Sequence, residues 1–144
     1  MTTTKKRLSG AGLGLASLLM VLFVLSGASP AQAAHEGLIK VCTQDYYKGS
    51  CTTRADHDKN LGNDYVSCGW CLNQTFSDSI SSVDNDTDNW WKLFEDKEYR
   101  GYALCLRPRG YDNNLGNNTP MEDEISSMKK LGTTRPSGCD KVIG

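Results

Sequence analysis

Phe94-Glu95-Asp96-Lys97-Glu98-Tyr99-Arg100-Gly101 decides how this chain is read. It ends in Tyr-x-Gly, and Tyr47-Lys48-Gly49 repeats that ending. Working outward, two further blocks recur in the same order. Asp58-Lys59-Asn60-Leu61-Gly62-Asn63 returns as Asp112-Asn113-Asn114-Leu115-Gly116-Asn117, and Asp78-Ser79-Ile80-Ser81-Ser82 as Asp123-Glu124-Ile125-Ser126-Ser127. The chain is therefore an internal repeat. The three offsets are 52, 54 and 45 residues, so the copies differ by loop insertions. The first copy carries the larger one, between Asp64 and Phe76, and it contains Cys68-Gly69-Trp70-Cys71.

The local signals are β. Short apolar pieces such as Leu38-Ile39-Lys40-Val41-Cys42 and Tyr102-Ala103-Leu104-Cys105-Leu106 alternate with Gly, Asn and Asp clusters. No segment after the leader sustains a 3.6-residue period. Turn signals every 8–12 residues, in two repeats of about four strands, predict an all-β sandwich of two packed Greek keys. The expected boundaries are repeat one at about 38–83, an acidic linker at 84–89, repeat two at about 90–131, and a C-terminal tail at 132–144. The linker, Asp84-Asn85-Asp86-Thr87-Asp88-Asn89, is too polar for a core and reads as solvated.

Residues 1–33 read as an address. Lys5-Lys6-Arg7 precede an apolar run from Leu13 to Leu25, and Ala31-Gln32-Ala33 supplies the small residues of a cleavage site. This is the pattern of a secretory signal peptide cut after Ala33. The run is too short for a comfortable membrane span, which needs roughly 20 apolar residues. The whole chain has 144 residues and a formal charge of −1; residues 34–144 keep 13 basic and 17 acidic side chains, a net −4. A mildly acidic exported domain is a poor nucleic-acid binder, because phosphate contacts need a basic face. All six Cys lie in this part. An even count in an oxidising space implies up to three disulfides among fifteen possible pairings.

The repeated motifs resemble the βγ-crystallin Greek-key signature. That signature is an aromatic, four residues, Tyr or Phe, one residue and Gly; Phe94 to Gly101 fits it at every position, and Cys42 to Gly49 fits with Cys42 in place of the aromatic. The resemblance implies a folded β-hairpin at each, its Gly in a backbone conformation that residues with a Cβ resist and its paired aromatics over the bend. The family's second mark, Asn/Asp-Asn/Asp-x-x-Ser/Thr-Ser, reads here as Ser77-Asp78-Ser79-Ile80-Ser81-Ser82 and Glu122-Asp123-Glu124-Ile125-Ser126-Ser127, departing only at its first position. The chain is also similar to the metalloproteinase inhibitors first known from streptomycetes, which use one crystallin-like domain. The resemblance implies a calcium site shared by two loops. Asp78 and Asp123 would be carboxylate ligands, Ser79 and Glu124 carbonyl ligands, and Ser81 and Ser126 hydroxyl ligands. Such oxygens suit a hard divalent ion. The competing reading is that Asp and Ser close the loops by hydrogen bonds alone.

Other constellations carry less. Asp84, Asp86, Asp88 and Glu95 match EF-hand positions 1, 3, 5 and 12, but Asn89 replaces the Gly and the flanks read as strands. Cys68-Gly69-Trp70-Cys71 lacks the following helix that a redox pair needs. Zinc from Cys51, His57, Cys68 and Cys71 suits the ligand types, but an oxidising compartment favours disulfides. As a protruding, Cys-flanked loop with Trp70 as an anchor, residues 68–71 suit a peptidase inhibitor. Trp90-Trp91 suggests a glycan platform, with Trp91 inward and Trp90 outward. Catalysis has little to work with: His35 and His57 are the only histidines, and no nucleophile elbow, phosphate loop or zinc-protease motif occurs. The sequence favours a secreted, noncatalytic calcium-binding protein. Inhibition of a secreted metallopeptidase is the alternative, and a cell-wall or glycan-binding module comes third.

Overall fold

Eight short strands build two four-stranded sheets in the computed structural model, which describes residues 37–69 and 71–144. The expected leader 1–33 and Trp70 lie outside the described residues. The strands are β1 (Ile39–Gln44), β2 (Lys48–Arg54), β3 (Ser82–Asn85), β4 (Trp91–Asp96), β5 (Arg100–Leu106), β6 (Tyr111–Asp112), β7 (Ser127–Lys130) and β8 (Lys141–Ile143). One sheet runs β2-β1-β3-β6 and the other β7-β4-β5-β8. The first three repeat-two strands of the second sheet mirror β2-β1-β3, so each sheet is mostly one repeat. The third strand of each repeat crosses over. Thus β6 pairs with β3 of the first repeat, and Asp58 bridges Met128 of the second. The fold is the expected all-β pair of Greek keys.

Alternation places the core. Ile39 and Val41 of β1, Val83 of β3, Trp91 and Leu93 of β4, Leu104 and Leu106 of β5 and Met128 of β7 face inward and are buried. Leu61, Ile80, Leu115 and Ile125, in the segments between strands, are also fully buried.

The folded hairpin forms twice. β4 and β5 lose register between Phe94 and Asp96, and β1 and β2 between Cys42 and Gln44. Gly101 (φ +77°) and Gly49 (φ +72°) supply the left-handed backbone each bend requires. In repeat two, Phe94 lies 5.7 Å from the Tyr99 ring. In repeat one, Cys42 stands in register with Cys51 and is disulfide-bonded to it. A covalent link across β1 and β2 replaces the aromatic pair. The other cystines are Cys68–Cys71 and Cys105–Cys139.

The structure corrects three local expectations. The 84–89 segment is not wholly solvated: Asn85 and Thr87 are buried. Asn85 Nδ2 donates to the carbonyls of Asn89 (2.8 Å) and Arg107 (2.6 Å), and its Oδ1 accepts from Thr87 N–H (3.1 Å) and Oγ1 (2.6 Å). Trp91 Nε1 donates to Thr87 Oγ1 at 3.2 Å. Full hydrogen bonding is what lets these polar groups leave water. Trp90 is buried as well, not outward. It precedes β4, and its N–H and C=O bond Gly132 and Leu131. No paired-tryptophan platform is exposed. Finally, 132–144 is not simply a tail: β8 pairs in parallel with β5, and Cys139 ties its approach to Cys105.

Candidate functional site

The repeated Asp-x-x-Ser-Ser segments meet at one end of the sandwich and brace each other through a local two-fold. Asp78 N–H donates to Ile125 C=O (3.1 Å), and Asp123 N–H donates to Ile80 C=O (3.0 Å). Ser126 Oγ donates to Asp78 Oδ1 at 2.7 Å, and Ser81 Oγ to Asp123 Oδ1 at 3.1 Å. Each carboxylate is thus held by the hydroxyl of the opposite repeat. Asp78 and Asp123 sit at φ 54° and 55°, a left-handed conformation that Asp tolerates better than most residues.

The second Ser of each pair works on the hairpins. Ser82 Oγ donates to Gln44 C=O (2.7 Å) and accepts Tyr47 N–H (3.2 Å). Ser127 Oγ donates to Asp96 C=O (2.6 Å) and accepts Tyr99 N–H (3.2 Å). The third repeated block also has a use. Asp58 Oδ1 accepts Asn60 N–H, and Asp112 Oδ1 accepts Asn114 N–H, each forming a tight Asx turn. The following Leu61 and Leu115 then dock on the Ser126 and Ser81 carbonyls of the opposite repeat.

The two halves differ at the motif's first position. Ser77 Oγ lies 2.6 Å from Ser126 Oγ, whereas Glu122 is exposed. Ser79 Oγ donates to Thr75 C=O at 2.8 Å, and Glu124 is exposed. The oxygens fit a hard ion in one respect. A carboxylate and a hydroxyl 2.7–3.1 Å apart can both touch an ion that takes its ligands at roughly 2.3–2.6 Å.

The insertion rises beside these loops. Tyr65 bridges Thr75, Val66 N–H donates to Gln74 C=O (2.9 Å), and Phe76 N–H donates to Asp64 C=O (2.9 Å). Val66 and Phe76 are buried and anchor its two arms. Cys68–Cys71 closes the tip, where Cys68 and Gly69 are exposed and Cys71 is half-buried. Beyond it Leu72 is 88% exposed, and Tyr65 is 69% exposed. A cleft of about 740 Å³ separates tip from body, lined by Cys68, Cys71, Thr75, Ser79, Asp78 and Asp123 among others. The candidate metal residues and the candidate inhibitory loop are therefore neighbours, which sequence spacing does not reveal.

Charge fixes the base of the insertion. The Arg54 guanidinium bonds Asp58 at 3.3 Å and pairs with Asp64. Burial raises the Asp64 carboxyl despite this pairing. At Asp58 burial also pushes upward, but the Asn60 N–H, Asp64 and Arg54 outweigh it and hold the carboxyl low. The EF-hand-like aspartates go elsewhere: Asp84 lies in β3, while Asp86 and Asp88 both pair with Arg109. Cys51, Cys68 and Cys71 are all in disulfides, which withdraws them from zinc. Leu72 is the residue sequence reasoning missed. An apolar side chain beside a Cys reads as core by default, and only its position on the insertion exposes it.

This architecture is that of a βγ-crystallin domain. A structure described as "Evolution of the eye lens beta-gamma-crystallin domain fold" is 16% identical, with a TM-score of 0.55 over 67% of this chain and 87% of that one. A βγ-crystallin from an archaeon is 19% identical (TM-score 0.52, 65% and 96% covered), and one from Ciona intestinalis 24% identical (0.52, 66% and 100%). At these identities the likeness is one of fold. Within that class, residues 43–106 match the model of peptidase inhibitor family I36, to which this chain is similar. The matched stretch runs from β1 to β5 and includes the whole insertion. No curated protein matches the chain.

Proposed function

We propose that this protein is a secreted, noncatalytic inhibitor of metallopeptidases that acts through the cystine-closed loop of Cys68, Gly69, Trp70 and Cys71. The repeat by itself favours calcium binding as the main role. The match of residues 43–106 to a peptidase inhibitor family raises inhibition above it, and this observation carries the reading. The loop suits the task. Its arms are hydrogen-bonded, its base is anchored by buried Val66 and Phe76, and its tip is covalently closed. A loop ordered before binding loses little further conformational entropy on docking. Three disulfides agree with an oxidising, extracellular destination. The test is a panel of secreted metallopeptidases assayed with the disulfide-intact chain 34–144. Replacing Gly69 and Trp70 together should spare the melting temperature and weaken inhibition. Inhibition that survives this change removes the site from the loop.

Calcium binding is a second reading, supported by the crossed Asp78–Ser126 and Asp123–Ser81 pairs. Asp78, Ser81, Asp123 and Ser126 would hold the ion through side chains, and Ser79 and Glu124 through carbonyls. Bound at either pair, calcium would neutralise a carboxylate of one repeat and fasten it to the other repeat's serine. At a hundred times its Kd a ligand adds about 2.7 kcal/mol to native stability. The melt in millimolar calcium should therefore exceed that in EDTA, magnesium serving as control. Asp78→Ala with Asp123→Ala should abolish the difference. A calcium response that persists in the double variant refutes the ligand assignment.

A further inference from the structure

We propose that the 111–118 turn of repeat two, together with β8, is a binding site for a neutral oligosaccharide. The site shares no residue with the 68–71 loop and stands independently of the inhibitor reading. The first observation is a contrast between equivalent positions of the two repeats. The offset of 54 that relates Asp58 to Asp112 also pairs His57 with Tyr111, Lys59 with Asn113 and Asp64 with Asn118. The hairpin offset of 52 pairs Glu98 with Tyr46. The backbone confirms the equivalence: Glu98 N–H donates to Lys59 C=O at 2.8 Å, and Tyr46 N–H to Asn113 C=O at 2.7 Å. In repeat one this set is spent on itself. Arg54 holds Asp58 and Asp64, Lys59 Nζ lies 3.1 Å from Glu98 Oε1, and the His57 ring meets Tyr99 edge-on at 6.4 Å. In repeat two Lys59, Glu98 and Asp64 give way to Asn113, Tyr46 and Asn118, and His57 to Tyr111. Tyr111 is 61% exposed and Tyr46 58%.

The second observation is what those groups leave open. Tyr111, Asp112, Asn113 and Asn118 line a cleft of about 470 Å³ together with Lys141 and the rest of β8. That volume falls within the roughly 300–1,000 Å³ of small-ligand sites. Asp112 Oδ1 accepts Asn114 N–H at 3.0 Å and its Oδ2 accepts Asn118 Nδ2 at 2.9 Å, which leaves a lone pair on each oxygen. Asn118 keeps one N–H and its side-chain carbonyl. The Asn113 amide and the Lys141 ammonium have no hydrogen-bond or ionic partner among the described residues. A sugar hydroxyl both donates and accepts, so neighbouring hydroxyls match an Asp–Asn pair. The C–H face of a pyranose stacks on an aromatic ring, and Tyr111 supplies one with an apolar body. Asp112 and Lys141 bring one charge of each sign, so the lining favours an uncharged ligand. The edges β6 and β8 are two and three residues long, too short for an extended peptide to add as a strand.

The third observation is the mounting. Asn114 Nδ2 donates to Asp45 Oδ2 at 2.7 Å, and Leu115 N–H donates to Ser81 C=O at 2.9 Å, which pins the turn to repeat one. β8 is fixed by its parallel pairing with β5 and by the Cys105–Cys139 cystine just before it. The hydrogen-bonding groups are therefore in place before a ligand arrives, which lowers the ordering cost of binding.

The experiment mixes the disulfide-intact chain 34–144 with insoluble cellulose, chitin, mannan and β-1,3-glucan, which are neutral, and with crosslinked polygalacturonate, which is anionic. The bound fraction is read by depletion. The hexaose of each polymer that captures the chain is then titrated calorimetrically into the native protein and into Tyr111→Ala, Tyr111→Phe, Asn113→Ala and Tyr65→Ala, with melts to verify folding. Asn113→Ala breaks no side-chain contact among the described residues, so it tests the site even where another variant unfolds. Tyr65 is an exposed aromatic far from β6 in the sheet order, on the insertion, and controls for general loss of aromatic surface. The expected result is capture by at least one neutral polymer and not by polygalacturonate. Affinity should fall about tenfold in Tyr111→Ala and roughly twofold to tenfold in Asn113→Ala. Tyr111→Phe should retain most of it, and Tyr65→Ala all of it. Capture by none of the neutral polymers overturns the proposal, and so does capture by polygalacturonate alone. An affinity that Tyr111→Ala and Asn113→Ala both leave unchanged overturns the site.

Discussion

Replacing the three cystines by alanine, one pair at a time, should rank the variants in opposite orders for stability and for inhibition. In the chain-entropy account a disulfide stabilises by restricting the unfolded chain, and the gain grows with the length of the closed loop. The sequence separations are 34 for Cys105–Cys139, 9 for Cys42–Cys51 and 3 for Cys68–Cys71. These give losses of about 3.8, 2.6 and 1.6 kcal/mol at 25 °C. A domain of about 110 residues has an unfolding entropy near 0.23 kcal/mol/K, so each kcal/mol lowers the melting temperature by about 4 °C. The expected decreases are then about 16, 11 and 7 °C. Inhibition should run the other way. Opening Cys68–Cys71 frees the tip that we propose meets the target, and each side chain that must then be ordered on binding costs about 0.5–1.5 kcal/mol. Two or three of them weaken inhibition by roughly fivefold to two-thousandfold at 25 °C, where all three variants remain folded. Cys105–Cys139 ties β5 to the approach of β8 and should leave the inhibition constant nearly unchanged; Cys51 adjoins Ser50, whose Oγ donates to the Ser67 carbonyl beside the tip, so opening Cys42–Cys51 should have a smaller, intermediate effect. Thermal melts by circular dichroism and inhibition assays on the same preparations decide the matter. Inhibition that falls in proportion to melting temperature across the three pairs would refute the separation of the loop from the frame.

Two further expectations concern the frame. Ser127→Ala removes the acceptor of Tyr99 N–H and the donor to Asp96 C=O, which should cost about 1–3 kcal/mol in urea unfolding, and Ser82→Ala should cost a similar amount for the same reason. The Tyr47 phenol is pushed up to about 12, by burial first and then by the negative field of Asp84, Tyr111 and Asp112. The unfolded chain ionises this group first, so its contribution to stability is intact below pH 10 and is lost between about pH 10 and 12. Absorbance titration near 295 nm should show Tyr47 titrating late, as does Tyr99, which burial also pushes up; only the Tyr47 step should move down, without reaching the ordinary value, in Asp84→Asn.

Much of the frame was legible in the sequence because each repeated residue has a stereochemical duty. Gly101 and Gly49 mark bends that need a left-handed backbone, and the Ser-Ser pairs mark where two repeats clamp one another. Pairing of the cystines was not legible, since Cys42 faces Cys51 only once the β1–β2 register is known. Nor was the strand at Lys141–Ile143: three residues show no period, and their place depends on Cys105 lying buried on β5. Asn85, Thr87 and Trp90 were misplaced for a common reason. Polarity or alternation alone says nothing of the partners that make burial tolerable, such as the Arg107 carbonyl for Asn85. The two candidate loops were named by their residues, but their adjacency across one cleft follows from the insertion folding back over the body.

The short span of Cys68–Cys71 has a consequence for life among proteases. Hydrolysis of any peptide bond between these two residues creates new ends but not two separate molecules, because the disulfide still bridges the nick. Upstream and downstream of it, the arms stay registered through Val66 with Gln74 and Phe76 with Asp64. The severed ends are therefore held close at high effective concentration, and a cut at this point does not dismantle the fold around it.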